Sequence, residues 1–181
     1  IQRGLREKNK EWQAEGKPAL PTRIGLHVGE VIVGNVGSSD RINYTTLGDS
    51  VNLASRLEAI GKVYYCDIVV SESIRQLVKD EFVFCPLDVM AVKGKKTPVK
   101  IFELIAVVGD ELDMDYQQYE KDFEHAFSLY ANANFAAALV EFESMQSSYD
   151  RKVISLYIER CQYLRENAPA DWDGVWRYKT K

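Results

Sequence analysis

Apolar and polar residues alternate at Ile24, Leu26 and Val28, the period of two expected for a half-buried strand over residues 23–28. Val31, Ile32 and Val33 form a second extended run just after Gly29 and Glu30, which predicts a hairpin with those two residues at its turn. Gly34-Asn35-Val36-Gly37-Ser38-Ser39-Asp40 then reads as a glycine-rich loop. Residues 42–47 are extended again, and Gly48 breaks the run. A helix is expected over residues 50–60, capped by the side chain of Asp49 or Ser50 and closed by Gly61. Ahead of these elements, residues 1–15 carry Ile1, Leu5 and Trp12 near one helical face, ended by Gly16-Lys17-Pro18. Downstream come a short buried strand at 67–70, a helix capped by Ser71 and running through Val78, and strands at 82–84, 88–92 and 99–105. Gly94-Lys95-Lys96 is the turn between the last two. Strands and helices mixed in this way predict an α+β layer fold.

The pattern changes after Gly109. Residues 109–115 read as an acidic linker, and residues 116–181 as a helical extension of the unit formed by 1–108. Three stripes of helical period follow. Tyr119, Phe123, Ala126, Phe127 and Tyr130 share one face; Phe135, Ala138, Leu139, Phe142 and Met145 a second; Ile154, Tyr157, Ile158, Cys161 and Leu164 a third. Short connections make these antiparallel helices. The first two resemble a tetratricopeptide-type hairpin, which cannot bury its own apolar face and should therefore dock on the preceding domain or on a partner. The tail after them is irregular, and Trp172 and Trp176 are expected to anchor it by packing.

Composition narrows the function classes. The chain has 181 residues and a net charge of −4, so no global positive field draws in nucleic acid. A polyphosphate ligand must be met by a few local cations. Cys66, Cys85 and Cys161 are odd in number and widely spaced, which predicts reduced thiols rather than a disulfide framework. With only His27 and His125 as histidines, no zinc pattern is present, and His27 reads as a packed or surface residue. No apolar run reaches the length of a membrane span, which together with the reduced thiols predicts a cytoplasmic setting, with any membrane tether lying upstream. The chain starts mid-pattern at Ile1 and is expected to be part of something longer.

The chemistry concentrates in the run from Tyr44 through Glu58. Asn52 and Arg56 lie four apart on the expected helix, so an amide and a guanidinium project as neighbours just after a glycine break. Such a pair suits a ribose and a phosphate, because arginine offers a planar fork of donors that stays charged. Spacing alone leaves the plainer alternative open, in which Arg56 pairs with Glu58 or another carboxylate on a solvated surface. The Lys93, Lys95, Lys96 and Lys100 cluster is equally compatible with a solvated turn.

Three segments resemble the catalytic domain of class III adenylyl and guanylyl cyclases. Arg23-Ile24-Gly25-Leu26-His27-Val28-Gly29-Glu30-Val31-Ile32-Val33-Gly34-Asn35-Val36-Gly37 is similar to its hairpin. Asn43-Tyr44-Thr45-Thr46-Leu47-Gly48-Asp49-Ser50-Val51-Asn52-Leu53-Ala54-Ser55-Arg56-Leu57-Glu58 is similar to its catalytic helix. Val92-Lys93-Gly94-Lys95, followed by Val99-Lys100-Ile101-Phe102-Glu103-Leu104, is similar to its last hairpin. The resemblance implies a partial ferredoxin-like domain that turns ATP into 3′,5′-cyclic AMP and pyrophosphate. It implies that Asn52 orients the ribose, Arg56 stabilises the transition state, Lys93 holds the terminal phosphates and Thr45 helps choose the base. Threonine resembles the bacterial adenylyl subclass, yet a hydroxyl both donates and accepts, so guanylyl cyclase and a non-catalytic nucleotide-binding domain remain open alternatives. The family's two Mg²⁺ or Mn²⁺ ions would be held by aspartates expected upstream of Ile1; neither Asp40 nor Asp49 occupies that motif. The resemblance further implies a site shared with a second cyclase domain in a homodimer, this chain giving the asparagine and arginine half and being inactive alone.

Overall fold

The computed structural model describes residues 1–38, 41–91 and 98–177. Its elements are α1 (Gln2–Ala14), β1 (Ile24–Leu26), β2 (Ile32–Ser38), β3 (Arg41–Leu47), α2 (Asp49–Tyr64), β4 (Ile68–Ser71), α3 (Glu72–Val78), β5 (Phe82–Met90), β6 (Val99–Val107), α4 (Tyr116–Ala131), α5 (Phe135–Ser148) and α6 (Lys152–Asn167). The architecture is mixed α+β. Four strands form a sheet in the order β1-β4-β6-β5, with β1 and β4 parallel and the other neighbours antiparallel. β2 and β3 form a separate antiparallel ribbon.

The expected hairpin between residues 23–28 and 31–33 is not formed. β1 instead joins β4, and β2 pairs with β3, Ile32 lying opposite Leu47 and Ser38 opposite Arg41. Alternation identifies a strand but carries no information about its partner. Residues 34–38 of the glycine-rich stretch read as a loop lie in strand β2, with Gly34 opposite Thr45 and Gly37 opposite Ile42; Ser39 and Asp40 lie outside the described residues. Glycine weakens a strand without forbidding it. The two strands expected at 82–84 and 88–92 are one strand, β5. It keeps pairing with β6 through register shifts at Val83/Phe84 and Pro86/Asp88. β5 is an edge strand, where Pro86, a residue without an N–H, is tolerated.

Helix α2 also differs from expectation at both ends. Its N-cap is Gly48, and neither Asp49 nor Ser50 makes a side-chain capping bond. Gly48 takes φ 145°, a backbone state L side chains rarely adopt. Gly61 does not end the helix, which runs on to Tyr64 and closes on Tyr65 in the left-handed conformation, φ 59°. The carbonyl of Gly61 accepts from the backbone of Cys66 at 2.9 Å, so the chain turns back into β4 around it. Ser71 stands at the N-cap of α3 but makes no capping bond; its hydroxyl lies 2.8 Å from His27 Nδ1 instead.

Alternation along the strands divides the core. Val69, Cys85, Leu87 and Ile101 face α2 and the three C-terminal helices, while Val70, Phe84 and Phe102 pack with Ile74 and Val78 on the other side. The α4–α6 layer shares that first core: Phe123, Tyr130, Phe142 and Tyr157 belong to the same buried cluster as Leu53 and Leu57. Asp115, in the acidic linker, caps α4 by accepting from the N–H groups of Gln117 and Gln118. Trp172 packs edge-on against Tyr130 and donates to the Ala131 carbonyl at 3.2 Å. In contrast, α1 buries none of its residues. A cleft of about 590 Å³ separates it from the sheet, lined by Ile24, Ile68, Leu104 and Ala106 among others.

Gly25 brings the sheet and α2 together with no side chain between them. A Cβ there would lie 2.2 Å from the carbonyl oxygen of Ala54 and 2.3 Å from the nitrogen of Glu58, so β1 runs backbone to backbone against the middle of α2. Substituting Gly25→Ala must push α2 away from the sheet. The expected loss of stability is roughly 1–3 kcal/mol, the range for overpacking a filled core, read as a lower urea midpoint at an unchanged slope. A midpoint equal to that of the unsubstituted protein would show that α2 does not need this contact.

Candidate functional site

Helix α2 presents two faces because of its sequence. Leu53, Leu57, Ile60 and Tyr64 recur at helical spacing and are buried. Asn52 and Arg56 each precede a buried leucine by one position, which turns them out of the core; both are exposed. Four residues correspond to one helical turn, a rise of about 6 Å, so amide and guanidinium stand side by side. Among the described residues neither side chain has a hydrogen-bond or ion-pair partner. The surface pairing of Arg56 with Glu58 is not made. Glu58 pairs with Arg23 at 3.3 Å instead.

The ribbon leads directly into this helix. Thr45 is half-buried on β3, opposite Gly34, so no side chain stands across from it on β2. Leu47 and Gly48 then turn the chain into α2. Thr45, Asn52 and Arg56 are thus carried on one continuous strand–turn–helix segment. Lys93 lies outside the described residues, as does Asp40. Much of the ribbon is uncovered apolar surface: Ile32 is 74% and Tyr44 76% exposed, and Val33, Val36, Ile42 and Leu47 are also exposed. Two clefts of about 590 and 610 Å³ lie elsewhere, one beneath α1 and one between α6 and the irregular tail. Neither is lined by Asn52 or Arg56. Both side chains are exposed to solvent.

Other chemistry can be placed. No group of three or more His, Cys, Asp or Glu among the described residues is arranged to hold a metal ion. Asp49, the first residue of α2, belongs to no such group. His27 bridges to Ser71 and, at 3.2 Å, to Ser73. All three cysteines are free and buried. Burial pushes their thiols up, Cys85 and Cys161 to about 12, so the thiolate that would act as nucleophile is not populated near neutral pH. No described helix is long and apolar enough to cross a membrane.

One arrangement was not anticipated from the sequence. Arg160 on α6 is 2% exposed and donates to Asp88 on β5 at 2.8 Å and to the hydroxyl of Tyr64 at 3.0 Å. That hydroxyl in turn donates to Asp88. A buried charge pair of this kind is costly to break, roughly 3–5 kcal/mol when one partner is removed, because the other charge is left in the core. The only sequence signal was Arg160 lying three residues after Tyr157, on the apolar face of α6.

A family model for the adenylate and guanylate cyclase catalytic domain matches residues 2–106. Adenylate cyclase 1 of Rhizobium meliloti (strain 1021) is 38% identical over 108 residues, 60% of this chain and 16% of the relative. An adenylate cyclase of Anabaena cylindrica is 36% identical over 103 residues, 55% of this chain and 20% of the relative. The chain therefore spans a fifth or less of the length of these two relatives. A crystal structure of the adenylyl cyclase CyaB from P. aeruginosa superposes with a TM-score of 0.49 at 32% identity, covering 62% of this chain and 56% of that one.

The thiol assignment predicts that a disulfide exchange reagent leaves the native protein unlabelled over minutes and titrates three thiols once urea unfolds it. Rapid labelling of any cysteine in the native state would contradict the burial described.

Proposed function

Since the chain belongs to the family of adenylate and guanylate cyclase catalytic domains, we propose that it supplies the asparagine and arginine half of a cyclase site that converts ATP to 3′,5′-cyclic AMP and pyrophosphate. The observation that carries this reading is the Asn52 and Arg56 pair: adjacent, exposed, and without a polar partner among the described residues. A guanidinium held unpaired on a rigid helix is a preorganised charge awaiting an anion. That the relatives named above are adenylate cyclases supports ATP as the nucleotide.

In the proposed reaction the ribose 3′-oxygen attacks the α-phosphorus and the bond from that phosphorus to the bridging oxygen breaks. Pyrophosphate leaves with the bridging oxygen, and the hydroxyl proton is lost to solvent. Asn52 holds the ribose so that its 3′-oxygen stands in line, a positional gain that replaces a search through sugar conformers. Arg56 donates to the α-phosphoryl oxygens as negative charge builds on them. Thr45 meets the edge of the base, and Lys93 the terminal phosphates. Members of the family use divalent metal ions, here Mg²⁺ or Mn²⁺, but the described residues do not form a site for them. We assign the metal ligands to groups outside these residues and derive no step through the ions.

The same reading makes the site a shared one. An exposed pair beside a ribbon whose apolar residues are uncovered requires a second surface, and a second cyclase domain, in a homodimer, supplies it. A cytoplasmic setting follows from ATP as substrate.

Kinetics test this directly. In the complete protein with Mn²⁺, Arg56→Ala should lower kcat for cyclic AMP formation by about 10²–10³-fold, the range for removing a donor to a transition-state oxyanion. KM for ATP should stay within about threefold. Stability should change by no more than about 0.5 kcal/mol, since the side chain is exposed and unpaired. Turnover of GTP should be slower than that of ATP. An unchanged kcat in Arg56→Ala would remove the arginine from the mechanism, and faster cyclisation of GTP would replace adenylyl by guanylyl cyclase.

A further inference from the structure

Helix α2 carries Asn52 in its first turn, Arg56 at its middle and Tyr64 at its last position, and its parts are held very differently. Its N-terminus has no side-chain cap. Its middle rests on β1 through Gly25, with Leu53 and Leu57 buried beside it, contacts that decide which face of the helix turns outward but, being apolar, set its angle less sharply than a hydrogen bond does. The one ion pair from that middle, Arg23 to Glu58, is substantially exposed on both sides and holds weakly. Its C-terminal end is different. Tyr64 is buried, and its hydroxyl sits between a carboxylate from β5 and a guanidinium from α6, donating to Asp88 and accepting from Arg160. Arg160 is itself surrounded: its guanidinium lies over the rings of Tyr157 at 4.9 Å, Trp176 at 5.1 Å and Tyr64 at 5.6 Å. Directional bonds in a dry environment fix an angle as well as a distance.

Resting on the functional reading above, we propose that Arg160 in the C-terminal helical layer is a positioning residue for that reaction, acting through Tyr64 to set the rotation and axial placement of α2 and hence the aim of Asn52 and Arg56. The eight steps from Arg56 to Tyr64 make a lever of about 12 Å along the helix. Because successive residues are about 100° apart around a helix, a small roll at Tyr64 swings the amide and guanidinium together. The α4–α6 layer is thereby part of the cyclase site's machinery, although it lies beyond the segment that the family model matches. Tyr157 provides an internal comparison. It comes from the same helix and is equally buried, but its hydroxyl donates to the Leu87 carbonyl at 2.9 Å and makes no bond to α2.

The test compares Tyr64→Phe with Tyr157→Phe in the complete protein, each change deleting one buried hydroxyl and keeping the ring. Cyclic AMP formation is measured against ATP concentration, and the folded fraction by urea titration. Tyr64→Phe should lower kcat about tenfold, since misplacement of a catalytic group by an ångström or less has effects of that order or larger. KM should hold within about twofold, and Tyr157→Phe should leave kcat unchanged. Arg160→Lys, which keeps the charge beside Asp88 but not the fork that reaches Tyr64, should follow Tyr64→Phe. Placed on Arg56→Ala, Tyr64→Phe should produce no further fall, because the group it aims is gone. Equal kcat for the two tyrosine variants would overturn the proposal and leave the functional reading intact. So would a fall from Tyr64→Phe that multiplies in full with that of Arg56→Ala. No cyclic AMP from the unsubstituted protein would overturn the functional reading, and the proposal with it.

Discussion

At Gly25 the backbone of β1 meets the backbone of α2 with no side chain between them, a missing Cβ being all that lets the carbonyl of Ala54 and the nitrogen of Glu58 come so near. Most of the site's geometry follows from that contact. It seats the helix on the sheet at the turn carrying Arg56, and Leu53 and Leu57 then fill the space on either side. Once those leucines are committed to the core, Asn52 and Arg56 have no choice but to face outward. Removing either leucine would cost roughly 2–5 kcal/mol, so the outward face is fixed by the stability of the inward one.

The remaining structure holds the two ends of this helix. The β2–β3 ribbon feeds into its start through Gly48, bringing Thr45 along the same stretch of chain. The helical layer grips its finish through Tyr64, Asp88 and Arg160. Further links tie that layer to the sheet. Arg151 pairs with Glu103 on β6, whose carboxyl burial pushes above the usual range, and Arg75 of α3 pairs with Glu120 of α4. An apolar core shared by α2 and the helical layer explains why the three amphipathic stripes bury their faces without a further partner.

The sequence was most legible where one local cue decided the answer. The three helical stripes located α4, α5 and α6 to within three residues, and the i, i+4 spacing of Asn52 and Arg56 set the two side by side on α2, while their reading as a site came from the resemblance to the family. It was least legible where the answer depended on a distant partner. Alternation over residues 24–33 named two strands but assigned them to each other, whereas β1 belongs beside Ile68 and β2 beside β3. Gly61 looked like a terminator because it is one in isolation; tertiary packing carried α2 through it. Arg160 was hidden for the same reason, since nothing local announces that a charge on an apolar face will find Asp88 some seventy residues earlier. Lys93 falls outside the described residues, so its assignment rests on resemblance to the family.

The central claim is that an unpaired guanidinium on α2 serves phosphorus chemistry on a nucleoside triphosphate. In a product analysis the complete protein is incubated with ATP labelled at the α- and γ-phosphates, and nucleotide and phosphate products are separated. The expected products are 3′,5′-cyclic AMP and pyrophosphate in equal amounts, both nearly absent when Arg56 is replaced by alanine. Release of ADP and inorganic phosphate, or cyclic AMP at the same rate without the arginine, would contradict it.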